Sequence, residues 1–206
     1  MKKLGIFGAG GFARETMILL GDLGVADRVQ AFYESDDIWR ERSLLNIPVL
    51  PFSRFEPAES ALILAVGNPS VRKAMRQTTP SGTEFPILVH PSVRISSSVE
   101  IGEGSIICAG SILTCDIRLG RYVNIDRMSN VGHDCVLGDY ATIAPGVTIS
   151  GNCDIGAECY LGTHSCVREK ISIAPRITVG MGAAVVSPLS RPGVYVGVPA
   201  KPLQHS

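Results

Sequence analysis

Residues 130–149 read NVGHDCVLGDYATIAPGVTI, and an aliphatic residue returns at every sixth position of this stretch. The same spacing continues in both directions without a miss over sixteen positions. Helices repeat at about 3.6 residues and strands at 2, so neither explains this period. A period of six is typical of a parallel β-helix, in which each hexad forms one short strand and one corner. The sixteen residues are Ile95, Ile101, Ile107, Leu113, Leu119, Ile125, Val131, Leu137, Ile143, Ile149, Ile155, Leu161, Val167, Ile173, Val179 and Val185.

Three hexads make one triangular coil, so residues 95–186 predict about five coils. The aliphatic side chains are expected to stack inside the coils. The residue two positions before each is mostly small or β-branched, and glycine often follows directly. A solenoid needs its ends covered, so the N-terminal part and the tail after residue 188 are expected to cap it.

The N-terminal part of the chain has a different pattern, in which short apolar segments alternate with helical ones. Such alternation favours a parallel sheet with right-handed crossovers. The sequence therefore predicts a small α/β domain of βαβαβ order, like half of a Rossmann fold, over residues 1–88. A β-helix domain with a C-terminal tail follows over residues 89–206. The apolar segments are residues 4–8, 29–33 and 61–68.

The composition excludes several classes of protein. Hydrophobic residues make up 45% of the chain and charged residues 18%, which favours a folded core over disorder. Nineteen basic residues balance nineteen acidic ones, so no excess of positive charge indicates a nucleic-acid partner. Apolar runs fall well short of the roughly 20 residues that span a bilayer. We therefore expect neither a nucleic-acid nor a membrane partner.

The six cysteines form no CxxC pair and no compact framework. Their scatter is typical of small buried residues in a reducing cytoplasm and does not supply the clustered ligands of a zinc site. Glycines interrupt the apolar run at the N-terminus before a signal-peptide core could form. We therefore expect a cytoplasmic protein without a bound metal.

A glycine-rich loop follows the first predicted strand. Gly8, Gly10 and Ala13 match the pattern G-x-G-x-x-G/A, which lets a backbone approach phosphate at a helix N-terminus. Glu34 ends the second strand, where an acid can bind a ribose hydroxyl. An NAD-binding domain is the first interpretation, but about 85 residues make only half of a dinucleotide fold. A mononucleotide that carries a sugar fits better, and a tight turn without a ligand is the alternative.

His133 and Asp134 interrupt the hexads at a corner, where side chains should point outward. A carboxylate beside an imidazole can orient it and stabilise its protonated form. Gly151 lies 18 residues later, so it is expected one coil away, at roughly 5 Å. Its N–H could hold a carbonyl oxygen beside a base. A solvent-exposed turn histidine is the alternative, and His164 lies on a different edge.

The hexad array and the tail GVYVGVPAKPL (193–203) resemble the left-handed β-helix acyltransferases. Three further motifs, FGAGGFARE (7–15), AVGNPSVRK (65–73) and LVHPSV (88–93), are similar to those of sugar N-acetyltransferases of the PglD type. They also resemble the related sialic acid O-acetyltransferases of the NeuD group. The resemblance covers nearly the whole chain.

The resemblance implies a homotrimer with active sites between neighbouring left-handed β-helices. It also implies transfer of acetyl from the cosubstrate acetyl-CoA to the amino group of a nucleotide-linked amino-deoxy sugar, with a 4-amino-4,6-dideoxy sugar preferred. In this family a histidine followed by an acid is the catalytic pair, and a glycine contacts the acetyl group. These positions match His133 as general base, Asp134 as its partner and Gly151.

The resemblance also assigns the two ligand sites. Phe12 departs from the family, because many relatives have histidine there, and a phenyl ring cannot bind phosphate by a hydrogen bond. Alternatives to an N-acetyltransferase are a sialic acid or sugar O-acetyltransferase and a non-catalytic nucleotide-binding trimeric scaffold. The nucleotide-sugar residues are Gly8, Gly10, Gly11, Phe12, Glu34, Gly67 and Asn68, and the acetyl-CoA residues are Gly151, Gly162, Thr163, Gly180, Met181 and Gly182.

Overall fold

The structure is a computed structural model and describes residues 2–203. The described chain divides into two compact units. The first contains residues 2–67 and 71–86, and the second contains residues 68–70 and 87–203.

The first unit is built on a five-stranded sheet of order β3-β4-β2-β1-β5. The neighbours among β4, β2, β1 and β5 pair in parallel, and β3 pairs antiparallel with β4 at one edge. The elements are β1 (Lys3–Phe7), α1 (Gly11–Asp22), β2 (Val29–Glu34), β3 (Arg42–Leu44), β4 (Ile47–Pro51), β5 (Ser60–Leu64) and α2 (Pro69–Thr78), with 3₁₀ turns at Ala26–Arg28 and Phe52–Arg54.

Strands β1 and β5 of this sheet are mostly apolar because they are buried on both faces. All five residues of β5 are buried, as are four of the five in β1. Parallel strands of this kind read as continuous hydrophobic runs rather than as alternating patterns. The predicted strands near residues 4–8, 29–33 and 61–68 are therefore present, and α2 begins at Pro69, which suits the first turn of a helix.

The structure differs from the predicted βαβαβ order after β2. No helix crosses from β2 to the next parallel strand; the β3–β4 hairpin stands there instead. Leu45 and Asn46 form its two-residue loop, and both have positive φ, at 52° and 62°. Such a loop matches the twist of paired strands. Pro48 and Pro51 also disfavour a helix in this segment, because proline donates no hydrogen bond.

The second unit is a parallel β-helix, as the hexads predicted. Its strands are mostly two residues long: β6 (Leu88–Val89), β7 (Arg94–Ile95), β8 (Glu100–Ile101), β9 (Ile106–Ile107), β10 (Ile112–Leu113), β11 (Arg118–Leu119), β12 (Asn124–Ile125), β13 (Asn130–Val131), β14 (Val136–Leu137), β15 (Thr142–Ile143), β16 (Thr148–Ile149), β17 (Asp154–Ile155), β18 (Tyr160–Leu161), β19 (Cys166–Val167), β20 (Ser172–Ile173), β21 (Ile177–Val179), β22 (Ala184–Val185), β23 (Gly193–Val196) and β24 (Lys201–Pro202).

These strands form three faces, and neighbours within a face are 18 residues apart. For example, Leu113 pairs with Val131, and Val131 pairs with Ile149. Each coil therefore consists of three hexads. Face 1 contains β7, β10, β13, β16, β19 and β22; face 2 contains β8, β11, β14, β17 and β20; and face 3 contains β6, β9, β12, β15, β18, β21, β23 and β24.

The interior of the coils is filled by the predicted aliphatic residues. Fourteen of the sixteen are buried, and the exceptions are Ile95 and Ile101. These two belong to the first coil, which has a neighbouring coil on one side only. Small side chains such as Ser105, Ala141 and Cys153 fill the position two residues earlier and are also buried. The hexad pattern therefore correctly predicts which residues fill the core of the β-helix.

The tail after residue 188 continues the array at its C-terminal end. β23 adds to β21 in parallel, and β24 then turns back antiparallel to β23. Tyr195 of β23 belongs to the buried core and is 8% exposed. The tail therefore covers the last coil. Among residues 2–203, no helix has both the length and the apolar character needed to cross a membrane.

Candidate active site

His133 and Asp134 lie at the corner between face 1 and face 2, called the His133 corner (residues 132–135, with 114–117, 150–153 and 168–171 in other coils). The Nδ1–H of His133 is placed to donate to Oδ2 of Asp134 at 2.7 Å. The two side chains are 57% and 54% exposed. Asp134 has a φ of 57°, a conformation that aspartate tolerates better than most residues. The corner therefore presents an anchored imidazole to the outside.

Gly151 lies one coil from His133, as the 18-residue spacing predicted. A Cβ added to Gly151 would lie 2.6 Å from Nε2 and 2.7 Å from Cε1 of the imidazole. The N–H of Asn152 donates to the carbonyl of His133 at 2.8 Å, which fixes the two coils in register. Within the described chain, the N–H of Gly151 donates to no backbone carbonyl. The ring edge that carries Nε2 therefore lies beside a bare peptide with a free donor.

Cys115 lies one coil on the other side of His133 and is exposed. Partial desolvation, followed by the charges of Asp116 and Asp134, raises the pKa of the Cys115 thiol. The thiolate is the nucleophilic form of cysteine, so this environment suppresses a sulfur nucleophile beside the imidazole. At this corner the imidazole, rather than the thiol, is therefore the candidate for proton transfer.

His164 lies at a second corner, between face 3 and face 1, called the His164 corner (residues 162–165, with 144–147 and 180–183 in other coils). Its imidazole stacks on a glycine, because a Cβ on Gly146 would lie 2.5 Å from its Nδ1. Within one chain His164 is therefore on a different edge from His133, as the hexad arithmetic predicted.

The residues that the resemblance assigns to acetyl-CoA also divide between these corners. Gly151 lies at the His133 corner, and the other five lie at the His164 corner. A Cβ on Gly162 would lie 2.7 Å from the backbone nitrogen of Met181, so coil packing alone requires that glycine. Gly182 has open space around it, and Met181 is 81% exposed. Of the five residues, Met181 and Gly182 are therefore the ones exposed to solvent.

The first unit contains a cavity of about 330 Å³ at the carboxyl ends of β1, β2 and β5. Six of the seven residues assigned to the nucleotide sugar line it. Asn68 does not line this cavity and accepts a hydrogen bond from Ser70 at 2.8 Å. The lining residues are Phe7, Gly8, Ala9, Gly10, Gly11, Phe12, Tyr33, Glu34, Ser35, Ile38, Ala65, Val66, Gly67, Val71 and Met75.

The glycine loop combines close packing with an open helix end. Gly8 has a φ of 120°, and a Cβ there would lie 2.8 Å from the carbonyl oxygen of Ala65. Gly10 caps α1 without a side-chain hydrogen bond, and no acidic residue occupies the first turn. A Cβ on Gly10 or Gly11 would meet no atom within 4 Å. The first turn therefore carries no acidic side chain that would compete for its N–H groups.

Glu34 lies at the edge of this cavity and is held by an arginine from the hairpin. Arg42 donates to both carboxylate oxygens of Glu34, at 2.8 and 2.7 Å. This bidentate pair raises the pKa of the Arg42 guanidinium and fixes the plane of the carboxylate. The sequence reasoning missed Arg42 because it missed β3.

Sequence reasoning also missed the apolar wall of the cavity. Val71 and Met75 lie four residues apart, which places them on one face of α2. Val71 is 45% exposed, and an exposed apolar residue at this spacing could have indicated a binding surface. Tyr33 and Ile38 have no comparable signal in the sequence. Over residues 2–203, no group of three or more histidine, cysteine or acidic residues is arranged to hold a metal ion.

Comparison with known proteins places this architecture in a family. Residues 116–151 match the bacterial transferase hexapeptide (six repeats) family. The chain is 28% identical over 191 residues to GDP-perosamine N-acetyltransferase from Escherichia coli, covering 88% of this chain and 85% of that protein.

Two solved structures extend the similarity over nearly the whole chain. The acetyltransferase domain of PglB from Neisseria gonorrhoeae, in complex with acetyl coenzyme A, has a TM-score of 0.88 at 30% identity and covers 98% of this chain and 99% of its own. A histidine-to-asparagine mutant of perosamine N-acetyltransferase from Caulobacter crescentus, in complex with CoA and GDP-perosamine, has a TM-score of 0.90 at 28% identity, with coverages of 100% and 98%. Because of these similarities and the unbroken hexapeptide β-helix, we conclude that the chain belongs to the left-handed β-helix sugar N-acetyltransferases.

Proposed function

We propose that this protein transfers an acetyl group from acetyl-CoA to the amino group of a nucleotide-linked amino-deoxy sugar. A 4-amino-4,6-dideoxy sugar is the preferred acceptor. The observation that carries the proposal is the His133 imidazole, anchored by Asp134 and lying against the bare backbone of Gly151. The relatives that bind acetyl-CoA, or CoA with GDP-perosamine, support both substrates.

His133 acts as the general base. Because its Nδ1–H donates to Asp134, the lone pair of the neutral ring is on Nε2. The sugar amine attacks the thioester carbonyl, and Nε2 accepts the proton that the amine loses as the C–N bond forms. The C–S bond then breaks, and the proton passes to the CoA thiolate. Asp134 holds the ring and stabilises its protonated form between these two steps.

Gly151 binds the carbonyl oxygen of the acetyl group. Negative charge develops on this oxygen in the transition state, and a preorganised N–H stabilises it there more than in the ground state. The absence of a side chain leaves room for the acetyl group beside Nε2. The free N–H of Gly151 supports this role.

The cavity of the first unit holds the nucleotide part of the acceptor. The N–H groups at the start of α1 and the loop from Gly8 to Gly11 bind the diphosphate. Glu34, with its plane fixed by Arg42, accepts a hydrogen bond from a ribose hydroxyl. The apolar wall formed by Val71, Met75 and Ile38 contacts the base or sugar.

The working enzyme is a homotrimer in this proposal. Gly151 and the remaining acetyl-CoA residues lie on two different corners of one chain. A site that uses both corners therefore needs two protomers, with the His133 corner of one beside the His164 corner of the next. The resemblance to a trimeric family supports this arrangement.

Acetyl transfer is tested with the purified protein, acetyl-CoA and GDP-, UDP- and dTDP-linked amino sugars in competition. We expect release of one CoA thiol per sugar consumed and a product 42 Da heavier by mass spectrometry, the difference between an acetyl group and the hydrogen it replaces. The added group should survive mild base, because an amide is stable where an ester is hydrolysed.

The same assay separates the alternatives. A base-labile product on a hydroxyl would replace the N-acetyltransferase with an O-acetyltransferase. Nucleotide binding without any thiol release from any acceptor would leave a scaffold and remove the catalytic proposal.

Gly11→Ala tests the nucleotide cavity without disturbing the fold. The added methyl meets no atom within 4 Å, but it lies at the first turn of α1, where the diphosphate is proposed to bind. We expect the KM for the nucleotide sugar to rise about tenfold, since a rise of this size is a loss of about 1.4 kcal/mol of binding. Steady-state kinetics with each substrate varied in turn measures it.

Gly21→Ala is the matched control for this change. Gly21 is in the same helix, and its Cβ would also meet no atom within 4 Å, but it does not line the cavity. We expect the kinetics of this control to be unchanged. An equal KM for Gly11→Ala and Gly21→Ala would remove the glycine loop from the nucleotide site.

A further inference from the structure

Arg72 is a charged side chain with no exposure to solvent. It is 0% exposed and is among the largest fully buried side chains of the described chain. It lies in the first half of α2, directly after the turn that follows β5. Burying a guanidinium carries a desolvation cost that an apolar side chain of similar volume avoids. Its presence therefore calls for a role that an apolar residue could not fill.

The guanidinium holds the turn between β5 and α2. Nη1 of Arg72 donates to the carbonyl oxygen of Val66 at 2.6 Å and to that of Gly67 at 3.2 Å. Val66 and Gly67 both line the cavity. Gly67 has no side chain, so it can meet a ligand through its backbone. The orientation of its peptide units is thus part of the cavity wall.

The same turn is packed against the glycine loop. The N–H of Ala65 donates to the carbonyl of Phe7 at 2.9 Å. A Cβ on Gly8 would lie 2.8 Å from the carbonyl oxygen of Ala65 and 3.2 Å from Cγ2 of Val66. A shift of Val66 and Gly67 would therefore be transmitted to the loop at Gly8. Arg72 therefore fixes the β5–α2 turn directly and the glycine loop only through that turn.

We propose that Arg72 is a positioning residue that sets the β5–α2 turn, and through it the glycine loop, in the geometry that binds the nucleotide-linked acceptor. It acts through the two carbonyls and does not contact the acceptor. The proposal rests on the proposed function only in taking a nucleotide as the ligand of this cavity. Lysine keeps the positive charge and a donor for these carbonyls, but its flexible ammonium is less preorganised than the planar guanidinium that fixes Nη1.

The test compares Arg72→Lys and Arg72→Met with the unmodified protein in steady-state kinetics and in calorimetric titration with GDP, UDP and dTDP. We expect Arg72→Met to raise the KM for the nucleotide sugar, and the Kd of the nucleoside diphosphate, about tenfold or more. Arg72→Lys should give a smaller rise. The KM for acetyl-CoA and kcat at saturation should stay within about twofold.

Arg76→Lys is the matched control, since Arg76 is on the same helix but donates to Thr79 and lies over the ring of Phe85. We expect no change in any constant for it. If Arg72 had a purely structural role, a smaller fraction of the chains would be folded and active. The apparent kcat per chain would then fall while the KM for the nucleotide sugar stayed unchanged. That result would overturn the proposal. If Arg72→Met does not fold, unchanged nucleotide affinity in Arg72→Lys overturns it equally.

The titration separates this inference from the proposed function. If the unmodified protein binds GDP, UDP or dTDP but acetylates no amino sugar, the proposed function fails, and the effect of Arg72 on the Kd still decides the inference. If the unmodified protein binds none of the three nucleotides, Arg72 has no nucleotide site to position, and the inference is overturned.

Discussion

His133→Ala is expected to lower kcat by about a hundredfold or more, the usual range for losing a general base. The imidazole is anchored to Asp134 at 2.7 Å, so a defined Nε2 is lost with the ring. Acetyl-CoA affinity should change little, because the residues that the resemblance assigns to acetyl-CoA lie in other coils. Thermal unfolding should also be nearly unchanged, since the side chain is 57% exposed. Thiol release under saturating substrates measures kcat, and titration with CoA measures the affinity.

His164→Ala is the comparison for this loss. It truncates another exposed imidazole that also stacks on a glycine, but at a different corner. We expect it to retain far more activity than His133→Ala. Turnover close to that of the unmodified protein in His133→Ala would remove this residue from the mechanism. Equal losses in the two variants would mean that the loss does not single out His133 as the base.

The β-helix could be predicted from sequence because its period has a direct geometric cause. Each hexad must place one aliphatic residue inside, and Leu137 and Ile155 are buried for the same reason. Because the pattern is this regular, contacts elsewhere in the fold have little influence on which residues are buried. Only Ile95 and Ile101 depart from it, and both belong to the first coil, which has a neighbouring coil on one side only. The capping tail was predicted as well, but not its antiparallel return through β24.

The α/β unit was less predictable because its edge depends on a turn with a weak sequence signal. The hairpin turns at Leu45 and Asn46, and leucine is uncommon at positive φ. Without an Asn-Gly or Asp-Gly pair, the segment gives little indication of a two-residue loop. Missing this hairpin also meant missing Arg42 and its ion pair with Glu34.

The His133 corner was predictable in its spacing but not in its contacts. Arithmetic of 18 residues placed Gly151 beside His133. It could not show that the ring turns toward Asp134. Aspartate and asparagine also stand at the equivalent positions of the neighbouring coils, at Asp116 and Asn152, where φ is positive as well. An acid at such a corner is thus explained by backbone conformation alone. Glycine is equally ambiguous, since Gly162 is required by the packing of the next coil.

Gly151→Ala is expected to lower kcat/KM about ten- to a hundredfold, because a misplacement of about 1 Å at a reacting group can cost this much. The new Cβ would lie 2.6 Å from Nε2 of His133, so the imidazole must move. The methyl also fills the space proposed for the acetyl group. Steady-state kinetics measures the loss, and a crystal structure of the variant would show the displaced ring.

The backbone itself does not require glycine at this position. Gly151 has no positive φ, and Ala157 holds the equivalent place in the next corner along the chain with its Cβ in place. Stability should therefore change by less than about 0.5 kcal/mol, as for other substitutions that meet only a movable side chain. Gly132→Ala gives the contrast, because its Cβ would lie 2.6 Å from the backbone nitrogen of Gly151 and should destabilise the fold.

The double variant His133→Ala/Gly151→Ala tests why position 151 is a glycine. If glycine is there for the imidazole and the acetyl group that it serves, adding Gly151→Ala to His133→Ala should cost much less than it costs alone, because residues that act as a unit are non-additive. A full additional loss would instead mean that Gly151 acts independently of the base, through the carbonyl oxygen that its N–H is proposed to bind. Undiminished activity in Gly151→Ala alone would contradict both roles, since the clash with Nε2 leaves no way for the ring to stay where the mechanism needs it.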